Sequence, residues 1–545
     1  MYDVLIQNGT LVDGTGAPCR KGDIAIKDGK IAAVGENLPG EAARVIDAAG
    51  KVVSPGFIDF HNHSDAGILL GLDAHNYLEQ GVTTQVTGLC GTGAAPCYPG
   101  MVDENKVGLS QEECQKWDAI CDSIPSFLDH VSQMELGANM AFFIPQGNIR
   151  GRVMGFDPSV PTEEQLEEMK ALVREAMEAG CIGFTTGLVY APSVYAGEEE
   201  LVELAKVVGE YGGCYDSHIR GEGANVVEAV EEAIRVGEKA GIPVVISHVK
   251  VIGAENEGLS QEIIRVMEEA NARGVKVRAD QYPYLAGSAP FISCIPPKFH
   301  VDGDDKLTES LKDPKVRQAI THSVLHEREE FESHWVSAGF EGCLMVGCAK
   351  TPQYIGKTIA QIAKEEGKDP FDASYDLLIA NDGVAQGIYF CQNESDMLRL
   401  LAHPYVMGGS DWSNFTSRHD PEQVGGAHPR GYSTFINRLA LIRDHRLMTL
   451  EESIHRITGL PAEMSGIQGI GVLREGARGD VCIFDYDELR AQSDYVHPFR
   501  PNLGLDYVLV GGKPAVEQGR YTGVKNGRVL RRGRLYPPRF FPGME

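Results

Sequence analysis

Several things are missing from this sequence, and each absence narrows what the chain can be. It does not open with a basic segment followed by an apolar one; "MYDVLIQNGTLVDGTG" reads as a strand and a turn, not a secretion signal. No run approaches the roughly 20 apolar residues of a membrane span. Positive charge is scarce. Against 77 Asp and Glu stand 50 Lys and Arg, a net charge of −27, which argues against nucleic acid and anionic membrane as partners. The twelve cysteines follow no pairing rhythm, so the expected compartment is cytoplasmic and reducing, with most thiols inert core residues.

What is present points to a large soluble protein. At 545 residues the chain is too long for one small core, so a domain of about 250 residues or more with a smaller companion is expected. Near the start, "DVLIQNGTLVD", "GDIAIKDGKIAAVG" and "ARVIDAAGKVVSPG" alternate apolar and polar positions between Asn-Gly, Asp-Gly and Ala-Gly turns. The far end looks alike in "GDVCIFDYDEL" and "LDYVLVGGKPAVEQGRYTG". Residues 1–54 and 470–545 are therefore expected to form one small β-sandwich domain.

The middle, 55–469, alternates short apolar runs with helical stretches such as "TEEQLEEMKALVREAMEAG". Eight candidate strands occur, from "GFIDFHNH" to "YVMGGSDW", the pattern of a closed parallel (β/α)8 TIM barrel in the α/β class. The spacing breaks once, after strand seven. An insertion at about 288–348 is expected there, acting as a lid over the barrel mouth or as a subunit contact.

Polar residues collect at one end of these strands, where such barrels carry their chemistry. Strand one closes on His61-Asn62-His63, strand two on Cys90, strand five on His218, strand six on His248 and strand eight on Asp411. Alternation puts the rings of His61 and His63 on one face. Taken singly, a buried Cys is usually packing and a strand-end His often structural. Six metal-capable residues at the same end of their strands are not independent accidents, and imidazole, thiolate and carboxylate together suit a zinc-type cation. His75, His300, His322, His326, His334 and His455 lie in helical or inserted segments and read as structural.

The run "VSPGFIDFHNHSD" resembles the opening strand of the amidohydrolase superfamily. More narrowly, "GVTTQVTGLCG", "GFTTGLVYAPSVYA", "SHIRGEG", "VVISHVK", "DQYPYLAGS", "GGSDW" and "HPRGYSTF" resemble, in order, the N-acyl-D-amino-acid deacylases (D-aminoacylases). The resemblance implies a zinc-dependent amidohydrolase that cleaves N-acyl-D-amino acids to a carboxylate and a free D-amino acid. Many binuclear relatives bridge their metals with a carboxylated lysine on strand four. Here no lysine lies between Lys170 and Lys206, and the resemblance implies that Cys90 takes that place. Cys90, His218 and His248 would form a tight zinc site, and His61, His63 and Asp411 a second, weaker one. Asp411 would carry the proton from the attacking water to the departing amine.

For the substrate's carboxylate, Lys250 stands two residues beyond His248 on what reads as the same strand face, and Arg430 can grip a carboxylate bidentately. Tyr190, Tyr282 and Ser288 join them by resemblance. Departures from the family pattern are Gln146 at the end of strand three, Gly221 beside Arg220 and Glu222, and Trp412 after Asp411; these bear on substrate choice. An alternative substrate is a dipeptide with a C-terminal D-residue or a cyclic amide, the latter disfavoured by Lys250 and Arg430. A catalytically silent scaffold would have lost ligands, and this chain keeps all six.

Overall fold

The computed structural model describes residues 1–71, 73–101, 106, 109–328, 331–414 and 427–533; the last twelve residues of the expected terminal domain lie outside that set. Nine parallel strands at eight positions build the core, Asn139–Phe142 and Ile144–Pro145 being consecutive pieces of one position. A six-stranded sheet runs in the order Val406–Gly408, Val277–Gln281, Val244–Ile246, Cys214–His218, Gly183–Gly187, Ile144–Pro145, and a three-stranded one runs Phe57–Asn62, Val82–Thr87, Asn139–Phe142. Main-chain bonds join the two sheets at both seams. Ile182 N donates to Phe142 O at 3.0 Å on one side; Asp411 N donates to His61 O at 2.8 Å and His63 N to Trp412 O at 2.9 Å on the other. The chain is thus a TIM-type barrel with an attached sheet domain. Most barrel strands are buried on both faces, as parallel strands covered by helices must be, so they read as continuous rather than alternating.

The helices follow from their sequences. Glu163–Glu178 begins at a capping box in which Thr162 and Gln165 satisfy each other's backbone N–H groups. Val226–Ala240 buries Val226, Ala229, Val230, Ala233 and Ile234, a stripe at helical spacing, and stops where Gly241 takes φ 69°.

Strands from both chain ends form one nine-stranded sheet. Val52–Pro55 pairs with Tyr2–Leu11 on one side and with Val481–Phe484 on the other. Alternation sorts the last of these strands: Val481 and Ile483 pack among Val4, Ile6 and Ile24, while Cys482 and Phe484 pack against Phe57, Tyr77 and Phe435 of the barrel. The segment expected as an insertion at about 288–348 takes part in an antiparallel sheet of Gly287–Pro290, Gln386–Tyr389 and Cys343–Gly347, whose core contains Phe291, Trp335, Tyr375 and Tyr389. The middle strand of that sheet lies beyond residue 348. No described helix is long and apolar enough to cross a membrane.

Candidate metal centre

All six metal-capable residues named from the sequence meet at one end of the barrel. His61, His63, Cys90 and Asp411 offer donor atoms within 4.8 Å of one another, and so do Cys90, His218 and His248. The sulfur belongs to both groups. Its Sγ lies 3.3 Å from His61 Nε2 and 3.4 Å from His248 Nε2, and His248 Nε2 is 2.9 Å from His218 Nδ1. Asp411 Oδ1 lies 3.1 Å from His63 Nε2 and 3.6 Å from His61 Nε2. Ligands about 2.0–2.3 Å from a tetrahedral zinc sit roughly 3.3–3.7 Å apart, so the sulfur-to-nitrogen spacings, with soft and borderline donors, fit such an ion. The His218–His248 spacing of 2.9 Å is shorter than that and would have to open for both rings to bind one ion.

The sequence placed these ligands on strand ends; the structure puts four of them just beyond, His63 following a strand that stops at Asn62. Strand two stops at Thr87, strand six at Ile246 and strand eight at Gly408. Cys90, His248 and Asp411 then take φ of 53°, 32° and 53°, left-handed values uncommon for side-chain-bearing residues and frequent at functional sites. The face-sharing expected of His248 and Lys250 on a strand is therefore corrected. They meet because the backbone turns, bringing Lys250 Nζ to 2.7 Å from His248 Nδ1 and 3.0 Å from His248 O.

The Cys90 loop is built against strand four. A Cβ on Gly187 would stand 2.0 Å from Cys90 O, and one on Gly91 2.4 Å from Gly187 N. Thr185 Oγ1 donates to Gly88 O at 2.7 Å and accepts from Gly91 N at 3.2 Å. Strand four thus offers bare backbone and a pinning hydroxyl at the level where the thiol enters.

The surroundings favour the ligand form at Cys90, Asp411 and His218. His61, His63 and His248, which burial alone would lower, are instead raised by Asp280, Asp411 and Cys90, His63 and His248 to about 9. Burial alone would raise the Cys90 thiol, but the His61 and His248 rings pull it well below its ordinary value. Burial would likewise raise Asp411, yet the Arg430 guanidinium holds it well below the usual carboxylate range; Arg430 Nη1 is 2.8 Å from Asp411 Oδ2. His218 is lowered by burial and by its His248 neighbour.

Sequence reasoning did not assign a role to the carboxylates behind the imidazoles. Asp280 Oδ2 is 3.2 Å from His61 Nδ1, and Asp280 Oδ1 accepts from His248 N at 2.9 Å. Glu222 Oε1 is 3.2 Å from His248 Nδ1 and pairs with Lys250 Nζ. Burial opposes Glu222's charge, but Lys250 holds it well below its ordinary value. The signal for Asp280 was an acid inside the buried run "VRADQ"; for Glu222, it was an acid four residues past His218.

The remaining expected residues surround this centre with differing freedom. The Arg430 guanidinium lies 4.7 Å from the Tyr282 ring centroid and 5.4 Å from that of Trp412. Tyr190 packs edge-on to His218, centroids 5.0 Å apart. The Ser288 hydroxyl donates to Gly387 O at 2.9 Å and accepts from Gln386 at 2.9 Å, while its carbonyl accepts from Arg430 Nη2 at 3.2 Å. Gln146 bonds Glu200 and Ser193 at 2.9 and 2.5 Å, a buried network with Arg150.

Comparison with known proteins agrees with this architecture. A model of the amidohydrolase family matches residues 44–280 and 295–516. D-aminoacylase of Alcaligenes xylosoxydans xylosoxydans is 32% identical over 532 residues, 97% of this chain and 98% of that protein. N-acyl-D-glutamate deacylase of Bordetella bronchiseptica, solved with zinc and a phosphonate mimic of the tetrahedral intermediate, is similar at TM-score 0.79 and 31% identity, covering 97% of this chain and 99% of its own. A D-aminoacylase with a binuclear metal centre, described by one-metal activation and second-metal attenuation, gives 0.80 and 31%, over 98% and 100% of the two chains. By that family match and these full-length likenesses, the chain belongs to the amidohydrolase family.

Proposed function

We propose that the protein is a zinc-dependent hydrolase that cleaves the amide bond of N-acyl-D-amino acids, releasing a carboxylate and a free D-amino acid. The observation that carries the reading is a cysteine sulfur shared between two clusters of histidines, with Asp411 and Arg430 paired beside them. The D-specific half rests on the relatives, which are D-aminoacylases and N-acyl-D-amino-acid deacylases.

Cys90, His218 and His248 would hold the tightly bound zinc, and His61, His63 and Asp411 a second, weaker ion. When bound, zinc acidifies water and polarises an acyl carbonyl. The Asp411 carboxylate takes the proton of the attacking water and returns it to the amine nitrogen as the carbon–nitrogen bond breaks. Arg430 and Lys250 hold the amino acid's carboxylate, with the aromatic walls of Tyr190 and Tyr282 excluding water. Ser288 contributes its position at the rim. The catalytic barrel occupies residues 55–469, and the terminal segments form a supporting domain. A reducing, cytoplasmic setting is part of the proposal, since the twelve cysteines follow no pairing rhythm in the sequence.

The test is hydrolysis of paired N-acyl-D and N-acyl-L amino acids by zinc-loaded enzyme. Turnover of the D series is expected; release from L substrates alone would overturn the stereochemical assignment, and no release from either would overturn the activity.

A further inference from the structure

Glu222 belongs to no candidate ligand set, yet it is buried against one. Three atoms meet behind His248: Nδ1 of its ring, Oε1 of Glu222 at 3.2 Å, and Nζ of Lys250 at 2.7 Å from the ring nitrogen. The opposite ring nitrogen, Nε2, faces Cys90 Sγ and His218.

A neutral imidazole carries one proton. If Nε2 presents its lone pair to an ion, that proton must sit on Nδ1 and needs an acceptor. The Lys250 ammonium has none to offer, since all its polar hydrogens donate. Glu222 Oε1 can accept. At 2.7 Å the Lys250 ammonium can only donate to Nδ1; a proton on Nδ1 would displace that contact and turn the ammonium toward Glu222, the His248 carbonyl at 3.0 Å, or a substrate carboxylate. The loop is placed for this work: Ile252 N donates to Glu222 O at 2.9 Å, tying the strand-five loop to the strand-six loop.

We infer that Glu222 is a positioning residue that fixes the His248 tautomer for zinc and holds Lys250 beside the centre as a cation available to the substrate's carboxylate. The inference rests on the zinc site proposed above and deepens it. Carboxylates behind metal-binding histidines elsewhere change metal affinity by about 10–100-fold when lost.

The test is zinc affinity of the full-length protein, measured by competition with a chromogenic chelator. Removing Glu222 alone strands a buried ammonium and risks unfolding, so the comparison is made in a Lys250→Met background, which keeps Glu222 beside His248 in the reference and leaves no stranded ammonium in the double variants. Glu222→Leu with Lys250→Met should bind zinc about 10–100-fold more weakly than Lys250→Met alone. Glu222→Gln in the same background, whose amide oxygen still accepts, should recover most of that loss. Equal affinity of the Leu double variant and Lys250→Met, or no recovery with Gln, would overturn the inference. A Cys90→Ala control separates the two levels. If it keeps parental zinc affinity, the site itself is wrong; if it loses zinc while the Glu222 variants do not, only the role of Glu222 is wrong.

Discussion

Arg430 Nη1 and Asp411 Oδ2 lie 2.8 Å apart, both buried, at the mouth of the barrel. One group is the proposed proton carrier and the other the proposed substrate anchor. Their contact makes the two roles electrically dependent, since the guanidinium keeps the carboxylate ionised despite burial. Replacing Arg430 with Met should raise KM about 10–100-fold, the worth of a charge-assisted hydrogen bond. It should also move the acid limb of kcat/KM upward in pH. Without the cation, burial favours the protonated acid, so the ionised form is lost at a higher pH. A pH–rate profile of the variant checks both.

Asp411→Asn keeps the shape and removes the base. We expect kcat to fall by about 10²–10⁴, with one zinc per chain retained on Cys90, His218 and His248. Activity near the parental level, with metal content measured on the same sample, would remove Asp411 from the proton's path.

Cys90→Ala should lose the tight zinc and all activity. Chelation of the parent should do the same, with zinc restoring turnover. Elemental analysis after gel filtration reads the first effect, and reconstitution the second.

The site was legible in outline because its donors punctuate apolar runs. His61, Cys90, His218, His248 and Asp411 announce themselves one strand at a time. What stayed hidden was relational. Glu222 is one acid among many in the sequence, and only the turn of the chain at His248 puts it behind that ring. The left-handed backbone at Cys90, His248 and Asp411 leaves no compositional trace, because glycine is its usual marker. For the same reason Lys250 was placed on the correct side for a reason that the structure replaces. The barrel order followed from strand spacing, whereas the sheet containing Gln386–Tyr389 was not foreseen, since pairing across about a hundred residues is not a local signal.

In the inserted segment His334 is half-buried, with its ring Nδ1 enclosed, and stacks on Tyr389, centroids 4.5 Å apart. Burial lowers its pKa to about 4. The unfolded chain therefore takes up a proton near pH 6.5 that the folded protein refuses until about 4. Its contribution is present above 6.5 and lost as pH falls through that window, by about 3 kcal/mol in all. His334→Phe keeps the stack and has no such proton. Its Tm relative to the parent should rise steadily from pH 6.5 to 4; a constant offset would contradict the burial account.

Gly187→Ala would force a methyl to 2.0 Å from Cys90 O. Overpacking of this kind costs about 1–3 kcal/mol, and here it should also disturb the thiol. Thermal melts with and without zinc should show the parent gaining more from the ion than the variant does.

Because Cys90, His248 and Asp411 are aimed by main-chain torsions, direction at this centre is a property of the loops and not of any one side chain. An exchange of ligand type at these positions inherits the aim. Putting a carboxylate in place of the sulfur would leave the new group directed into the same space, so the preference between soft and hard cations can be retuned by single substitutions without rebuilding the scaffold.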